Sequence, residues 1–179
     1  MVFAHDTEVA LVAAVELVNS ASEPDTLTSV ADLDAFFATW GYTGRYDHTA
    51  GELAEVRAVR RMLRELLTRD RDAAAELVNE VLAEAHAVPR LMRHGEWDWH
   101  IHAVADDAPL ATRIAVETAM AMSEVIRDDE LSRLSVCADQ DCDGLVLDLS
   151  RNRSKRFCST ACGNRNAVAA YRARQAAEG

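Results

Sequence analysis

The sequence predicts an α+β protein: a predominantly α-helical N-terminal domain with a β-hairpin, then a small C-terminal module built around cysteines. Two observations predict this class. Apolar residues recur at helical spacing through most of the first 136 residues, except in one stretch where they alternate. All four cysteines of the 179-residue chain lie in its last 43 residues, so a short segment is organised around a common centre. We therefore predict domains at residues 1–130 and 131–179.

The first two predicted helices each carry one apolar stripe. Asp6 or Thr7 is expected to cap the first helix, and Gly41 is expected to end the second. Spacings of three and four residues put each stripe on one face, which is typical of a helix packed on a core. The stripe residues are Leu11, Ala14, Val15 and Val18, then Leu33, Phe36, Phe37 and Trp40.

Two further helices follow in the same domain. Thr49 and Glu52 form a capping-box pattern before the third, and Asp70 or Asp72 is expected to cap the fourth, which we expect Pro89 to end. Their apolar stripes are Leu53, Val56, Val59, Leu63, Leu66 and Leu67, then Leu77, Val78, Val81 and Leu82.

A change of period then predicts a hairpin. Residues 97–103 alternate between apolar and polar, and we expect residues 90–93 to pair with them across a turn at His94 and Gly95. A last long helix is expected to begin near Asp107, with Pro109 in its first turn. The residues that we expect this helix to bury are Leu110, Ile114, Met122 and Val125 or Ile126.

The hairpin leaves two interpretations open for its histidines and tryptophans. His94, His100 and His102 cluster with Asp98 and could hold a metal, although the alternation favours a solvent-facing side of the strand. Trp97 and Trp99 are expected in the hairpin core, while a small-molecule pocket against Trp40 remains an alternative.

The cysteines follow the spacing Cys137-x4-Cys142-x15-Cys158-x3-Cys162. Two close pairs separated by a loop can bring four thiolates to the corners of a tetrahedron around zinc. Two disulfides or four free thiols are the alternatives. Four thiolate ligands would leave no open position for a substrate, so the pattern favours one structural Zn²⁺ over a catalytic one.

The rest of the module predicts a treble-clef-like zinc finger. A strand over residues 145–149, a turn at residues 150–154 and a helix from about Thr160 to Gln175 would present the second cysteine pair. Cys162 would lie in the first turn of that helix, where backbone N–H groups favour a thiolate. We expect Val168 and Tyr171 to pack inward.

The charge of the chain is divided. Residues 1–136 carry 12 basic and 25 acidic side chains, whereas residues 151–175 carry seven basic side chains and no acidic one. Such a basic segment is typical either of a phosphate-binding surface or of a solvated turn and helix. The seven residues are Arg151, Arg153, Lys155, Arg156, Arg165, Arg172 and Arg174.

The C-terminal module resembles the CGNR zinc finger over residues 134–175. The resemblance rests on the cysteine spacing, the string Cys162-Gly163-Asn164-Arg165 and the turn at Ser150-Arg151-Asn152, with Phe157 where a tryptophan is usual. In that family the finger follows a helical domain called ABATE, found in stress-induced transcription regulators. Glu16-Leu17-Val18-Asn19-Ser20 and the later Trp40 resemble that domain.

The resemblance implies a zinc-dependent, DNA-binding transcriptional regulator. The finger would contact DNA through the seven basic residues, with a homodimer as one way to enlarge the contact. The helical domain would sense a small molecule or a protein partner. Asp148, Ser150, Asn152 and Asn164 are expected to brace the zinc loop through hydrogen bonds.

A different class of function stays open: a zinc-stapled protein-interaction or ligand-binding module that binds no nucleic acid. In that case the basic segment would dock on the acidic domain. The sequence shows no paired general acid and base, no Ser-His-Asp pattern and no Gly-rich phosphate loop, so we expect no enzyme. No secretory signal or membrane span is apparent, and a cytoplasmic location is expected.

Overall fold

The computed structural model describes residues 2–94 and 97–178. The N-terminal part is a helical bundle that confirms the predicted helices. Its helices are α1 (His5–Asn19), α2 (Val30–Thr39), α3 (Ala50–Thr68), α4 (Arg71–Glu84) and α5 (Leu110–Arg127). None of the helices in the described ranges is long and apolar enough to cross a membrane.

The core forms around α5, which packs against α1, α3 and α4. The predicted stripes face it: Leu11, Leu33, Leu63, Ile114 and Met122 are fully buried. Each such side chain contributes about 1.5–3 kcal/mol when it leaves water. Burial of the stripes therefore stabilises the bundle.

Helix caps differ in detail from the sequence prediction. Helix α1 starts two or three residues earlier than predicted, with Ala4 at its N-cap and no side-chain cap. The Glu8 carboxylate in its first turn accepts the N–H groups of Val2 and Phe3. Thr49 caps α3 as predicted, but the complete capping box lies at Ser29 before α2.

The end of α4 also corrects the prediction. Asp70 caps α4 as one of the two predicted residues. The helix ends at Glu84 rather than at Pro89, because His86 adopts a left-handed conformation with φ of 49°.

The hairpin pairs β1 (Arg90–His94) with antiparallel β2 (Trp97–His102), as predicted. The two faces of β2 are oriented opposite to the prediction, with the His100 side inward and the Trp99 side toward solvent. His100 is 9% exposed, whereas Trp99 is 63% exposed, with the guanidinium of Arg93 over its ring. The predicted turn at His94 and Gly95, and the predicted burial of the Trp97 side chain, lie outside the described residues.

The inward position of His100 is stabilised by hydrogen bonds. His100 Nδ1 lies 2.7 Å from the carbonyl oxygen of Asp98, and His100 Nε2 lies 2.9 Å from His102 Nε2. Burial of a polar ring is tolerated when its nitrogens are hydrogen-bonded. The prediction of a solvent-facing histidine side is therefore wrong.

The C-terminal module begins with a 3-10 turn at Leu131–Arg133 and continues through β3 (Leu134–Val136), β4 (Leu145–Leu147) and α6 (Thr160–Glu178). Strand β4 pairs with β3 and packs against α1. The predicted domain boundary falls at the start of the 3-10 turn and stays a prediction.

Helix α6 corrects one prediction about packing. Val168 and Tyr171 are 48% and 57% exposed, and every residue from 167 to 177 is exposed. Their expected burial is wrong because this part of α6 extends away from the module.

Candidate metal centre

The four cysteines converge on one point. Their sulfur atoms all lie within 4.8 Å of one another, with Cys142 Sγ 3.5 Å from Cys158 Sγ and Cys158 Sγ 3.8 Å from Cys162 Sγ. A tetrahedral zinc with Zn–S bonds of about 2.3 Å requires sulfurs about 3.8 Å apart. The cysteines are free thiols rather than disulfides. The predicted single structural Zn²⁺ is thus confirmed in its ligand chemistry and geometry.

Backbone hydrogen bonds position Cys137 and Cys162. Cys137 follows β3, and its backbone N–H donates to the carbonyl oxygen of Gly144 over 2.7 Å. Cys162 lies in the first turn of α6, where its N–H donates to Ser159 Oγ over 3.2 Å. Burial raises the pKa of the Cys158 thiol, whereas the hydrogen bond with Ser159 lowers that of Cys162. A bound zinc ion deprotonates its thiol ligands outright, so all four would bind as thiolates.

Gly144 is a residue at this centre that the sequence analysis missed. Its N–H donates to Cys142 Sγ over 3.4 Å. A Cβ at this position would lie 2.9 Å from Cys158 Sγ and 3.3 Å from Cys142 Sγ. Only a glycine therefore lets the loop after Cys142 pass so close to the sulfurs.

We expect Gly144→Ala to weaken zinc binding on the order of tenfold to a hundredfold, as for other changes beside metal ligands. The new methyl group must displace sulfurs that zinc holds in a fixed tetrahedron. The measurement is competition for zinc with a chromogenic chelator. Gly163→Ala is the matched control, because a Cβ there meets only the Phe157 ring at an ordinary 3.6 Å. Equal affinities of the two variants would contradict the prediction.

Arg165 braces the metal centre. Its Nε donates to Asp139 Oδ2 over 2.7 Å, and its Nη2 lies 3.4 Å from Cys162 Sγ. The Asp139 side chain is 4% exposed, and the hydrogen bond from Arg165 lowers the pKa of its carboxyl group. Arg165, which we predicted as a nucleic-acid contact, thus hydrogen-bonds within the finger. Nothing in the sequence singled out Asp139 among the acidic residues between the cysteines.

The loop at residues 150–155 is held by Asp148. Its two carboxylate oxygens accept the backbone N–H groups of Ser150 and Lys155 over 2.8 and 2.7 Å. Ser150 Oγ accepts the N–H of Ser154. Asn152 and Asn164 are exposed, and their side chains hydrogen-bond no residue within the described ranges. Asp148 and Ser150 therefore occupy bracing positions, whereas the bracing role of the two asparagines stays a prediction.

Arg133 is a second residue that the sequence analysis missed. It is 7% exposed, and its Nη1 donates to the carbonyl oxygens of Asp148 and Ser150. Its Nε donates to Glu130, which also forms an ion pair with Arg153 at 2.8 Å. Arg153 is thus the member of the basic segment that docks on an acidic residue before the finger.

The remaining basic residues form an exposed set with no ion pair to any acidic residue in the described ranges. Arg156 lies over the Phe157 ring at 5.9 Å. The set, which we call the open basic set, consists of Arg151, Lys155, Arg156, Arg172 and Arg174.

Comparison with known families agrees with this architecture. A family model for the CGNR zinc finger matches residues 133–175. A second model, ABATE, with the description "Putative stress-induced transcription regulator", matches residues 11–129. The chain belongs to the ABATE family. The ABATE domain thus comprises the helical bundle with its hairpin, and the CGNR finger carries the metal centre. No curated protein matches the chain.

Proposed function

We propose that this ABATE protein is a DNA-binding transcription regulator, in which the CGNR finger contacts DNA and the ABATE domain senses a ligand or partner. The observation that carries the proposal is the exposed open basic set, which lies partly on the loop before α6 and partly on the exposed end of α6. The family description adds a response to stress. Such a regulator would work in the cytoplasm, where thiol ligands remain reduced.

The distribution of charge supports a contact through the finger. Arginine and lysine side chains that pair with no carboxylate remain available to neutralise phosphates and release counterions. The ABATE domain is strongly acidic and would repel DNA at long range. DNA would therefore meet the chain at the finger.

The geometry of α6 suits the major groove. The helix has 19 residues and is about 28 Å long. Val168 and Tyr171 are three residues apart and share one exposed face, which Arg172 and Arg174 flank. A major groove about 12 Å wide admits a helix, and apolar side chains can contact thymine methyl groups. The metal centre would fix the direction in which this helix leaves the finger.

A single finger buries only about 600–1,000 Å² on DNA, so one copy would bind weakly. Specific binding then requires a second copy of the chain or a partner. We propose a homodimer on DNA, because most soluble oligomers are symmetric dimers. We propose no catalytic role, since four thiolates complete the coordination of a structural zinc.

The test is salt-dependent binding of the zinc-loaded protein to duplex DNA. Arg151→Ala, Arg172→Ala and Arg174→Ala together are expected to reduce the magnitude of the negative slope of log Kobs against log salt by up to about 2.7, or 0.9 per lost phosphate contact. Zinc content should stay at one per chain, because these side chains do not touch the metal ligands.

The matched control removes the same charge from the ABATE domain: Arg61→Ala, Arg90→Ala and Arg127→Ala, all at exposed positions. If the magnitude of the slope decreases equally in both variants, the effect comes from net charge, and a contact specific to the finger is contradicted. No binding by the folded, zinc-loaded protein at low salt would exclude the DNA proposal.

A zinc-stapled protein-interaction module is the second candidate function. The Arg153–Glu130 ion pair and an exposed apolar surface on the hairpin favour it. Val88, Leu91 and Trp99 on that surface are 64%, 66% and 63% exposed. Substitution of Leu91 and Trp99 by Ser, with DNA binding retained and a protein partner lost, would separate this function from DNA binding.

A further inference from the structure

The ABATE domain contains a cavity that the metal centre does not involve. It has a volume of about 90 Å³ and lies between α1, the segment after α2, β2 and α5. The lining side chains that matter here are Asp6, Trp40, Tyr42, His100, His102 and Glu117. The reversed facing of the hairpin creates this cavity wall, because it turns His100 and His102 toward the bundle.

Glu117 brings an unpaired acceptor to the cavity. Its carboxyl group hydrogen-bonds no residue within 2–94 and 97–178, and burial raises its pKa to about 7. Arg113, one turn earlier on α5, is buried and donates instead to the carbonyl oxygens of Thr43, Arg45 and Ala108. Glu117 is half-buried, and a carboxyl group in such a position is unfavourable without a donor, so Glu117 is suited to receive one from a ligand.

Trp40 brings an unpaired donor to the same cavity. Its indole N–H is buried and has no acceptor among the described residues. The Tyr42 ring stacks on Phe36 with centroids 5.8 Å apart, and burial raises the pKa of Tyr42 well above its usual range, so the phenol stays neutral. The cavity therefore combines the Glu117 acceptor and the Trp40 donor with aromatic walls.

The charge of the lining indicates the sign of the ligand. Carboxyl groups of Asp6, Glu117 and Glu124 line the cavity, and its lining includes no lysine or arginine in the described ranges. Carboxylates and the faces of aromatic rings both attract cations. These carboxyl groups would repel an anionic ligand when they are ionised.

We propose that this cavity binds a small organic ammonium ion that also carries a neutral hydrogen-bond acceptor, such as an amino alcohol. The ammonium group donates to Glu117, and the Trp40 indole N–H donates to the acceptor. A cavity of about 150 Å³ accommodates benzene, so one of about 90 Å³ has room for the ammonium end of a short chain. A longer ligand would extend through the opening of the cavity.

Ligand binding would reach the finger through α1. Asp6, near the N-terminus of this helix, lines the cavity. Asn19, at the C-terminus of the same helix, hydrogen-bonds through its side chain to Leu145 of β4. Only this effect of the ligand on the finger rests on the proposed function. The binding site itself is tested without DNA.

The test is calorimetric titration of the zinc-loaded full chain with 4-aminobutan-1-ol, beside n-butylamine, 1,4-butanediol and 4-hydroxybutyrate. We expect the amino alcohol to bind best, with a Kd on the order of millimolar for so small a ligand. Glu117→Gln should weaken its binding on the order of tenfold to a hundredfold. Trp40→Phe should remove its advantage over n-butylamine. Glu80→Gln, at an exposed position on α4, is the matched control.

The pH dependence supplies a second readout. Affinity for the amino alcohol should fall as pH decreases through about 7, because Glu117 takes up a proton there and can no longer form an ion pair. Asp6, Tyr42, His100, His102, Arg113 and Glu124 are the other titratable or charged groups around it. Since Glu117→Gln removes only the Glu117 contribution, the decrease should become shallower in that variant.

Glu117→Gln should also raise the Tm of the ligand-free protein at pH 8, because it removes a half-buried charge whose partial desolvation disfavours the folded state. This gain should shrink as pH falls from about 7 toward 4.5 and vanish below that, where Glu117 is protonated in the folded and unfolded states alike. A higher Tm would show that the variant is folded.

Equal affinity of Glu117→Gln and the unchanged protein would overturn the proposal, as would a preference for the diol or the anion. No binding by any probe would overturn it as well. If the amino alcohol binds as expected while the protein binds no DNA, the site stands and the proposed regulator function fails.

Discussion

Serine in place of Cys162 is expected to abolish zinc binding and to unfold the finger. Cys162 Sγ is buried in the centre and in reach of the other sulfurs, and a neutral hydroxyl group does not replace a thiolate ligand. In zinc-finger peptides, metal binding supplies about 10–16 kcal/mol of apparent folding free energy. The measurements are zinc content per chain, which should fall from one to zero, and far-UV circular dichroism, which should lose the signal of α6.

Ala161→Ser is the matched control, because it adds the same hydroxyl group at an exposed position one residue away. It should keep both zinc and α6. Full zinc content in Cys162→Ser, or an unchanged spectrum, would contradict a structural role for the metal.

Loss of zinc should also destabilise the helical bundle. Leu145 and Leu147 of β4 are 2% and 5% exposed and belong to the bundle core rather than to the finger alone. Their exposure would cost about 3–6 kcal/mol in total. We therefore expect chelation to lower the Tm of the ABATE domain as well, which makes metal content a condition for the stability of the whole chain.

The sequence could predict those features that depend on local pattern. The cysteine spacing was enough to predict the metal ligands, because both pairs are close in sequence and join in one small module. The stripes of α1 to α5 were predictable because a helix with one apolar face has few ways to bury it.

The predictions that were wrong concern features that depend on tertiary contacts. Alternation in β2 indicated two faces but not which one turns inward, and hydrophobicity favoured Trp99 over His100. The buried histidines are satisfied by the Asp98 carbonyl and by each other, which no periodicity indicates. Arg133 and Asp139 were missed for a related reason, since their partners are known only once the finger is folded.

Asn19→Leu is expected to reduce the free energy of unfolding by about 2–5 kcal/mol, because it leaves two backbone groups of Leu145 without partners. Asn19 Nδ2 donates to the Leu145 carbonyl oxygen over 2.9 Å, and Asn19 Oδ1 accepts the Leu145 N–H over 2.6 Å. The side-chain amide thus pairs with β4 as a neighbouring strand would. Leucine has a similar size but offers neither group, and Leu145 is too buried for water to replace them.

The measurement is urea unfolding followed by far-UV circular dichroism, with Asn79→Leu as the matched control. Asn79 is an exposed asparagine on α4, so its replacement should change stability by less than about 0.5 kcal/mol. An equal loss in the two variants would contradict a specific role of the hydrogen bonds between Asn19 and β4, since leucine favours a helix more than asparagine does. A loss specific to Asn19→Leu, with zinc retained, would show that the finger and the ABATE domain are coupled by this amide. Any change in α1 would then have a physical route to β4 of the finger.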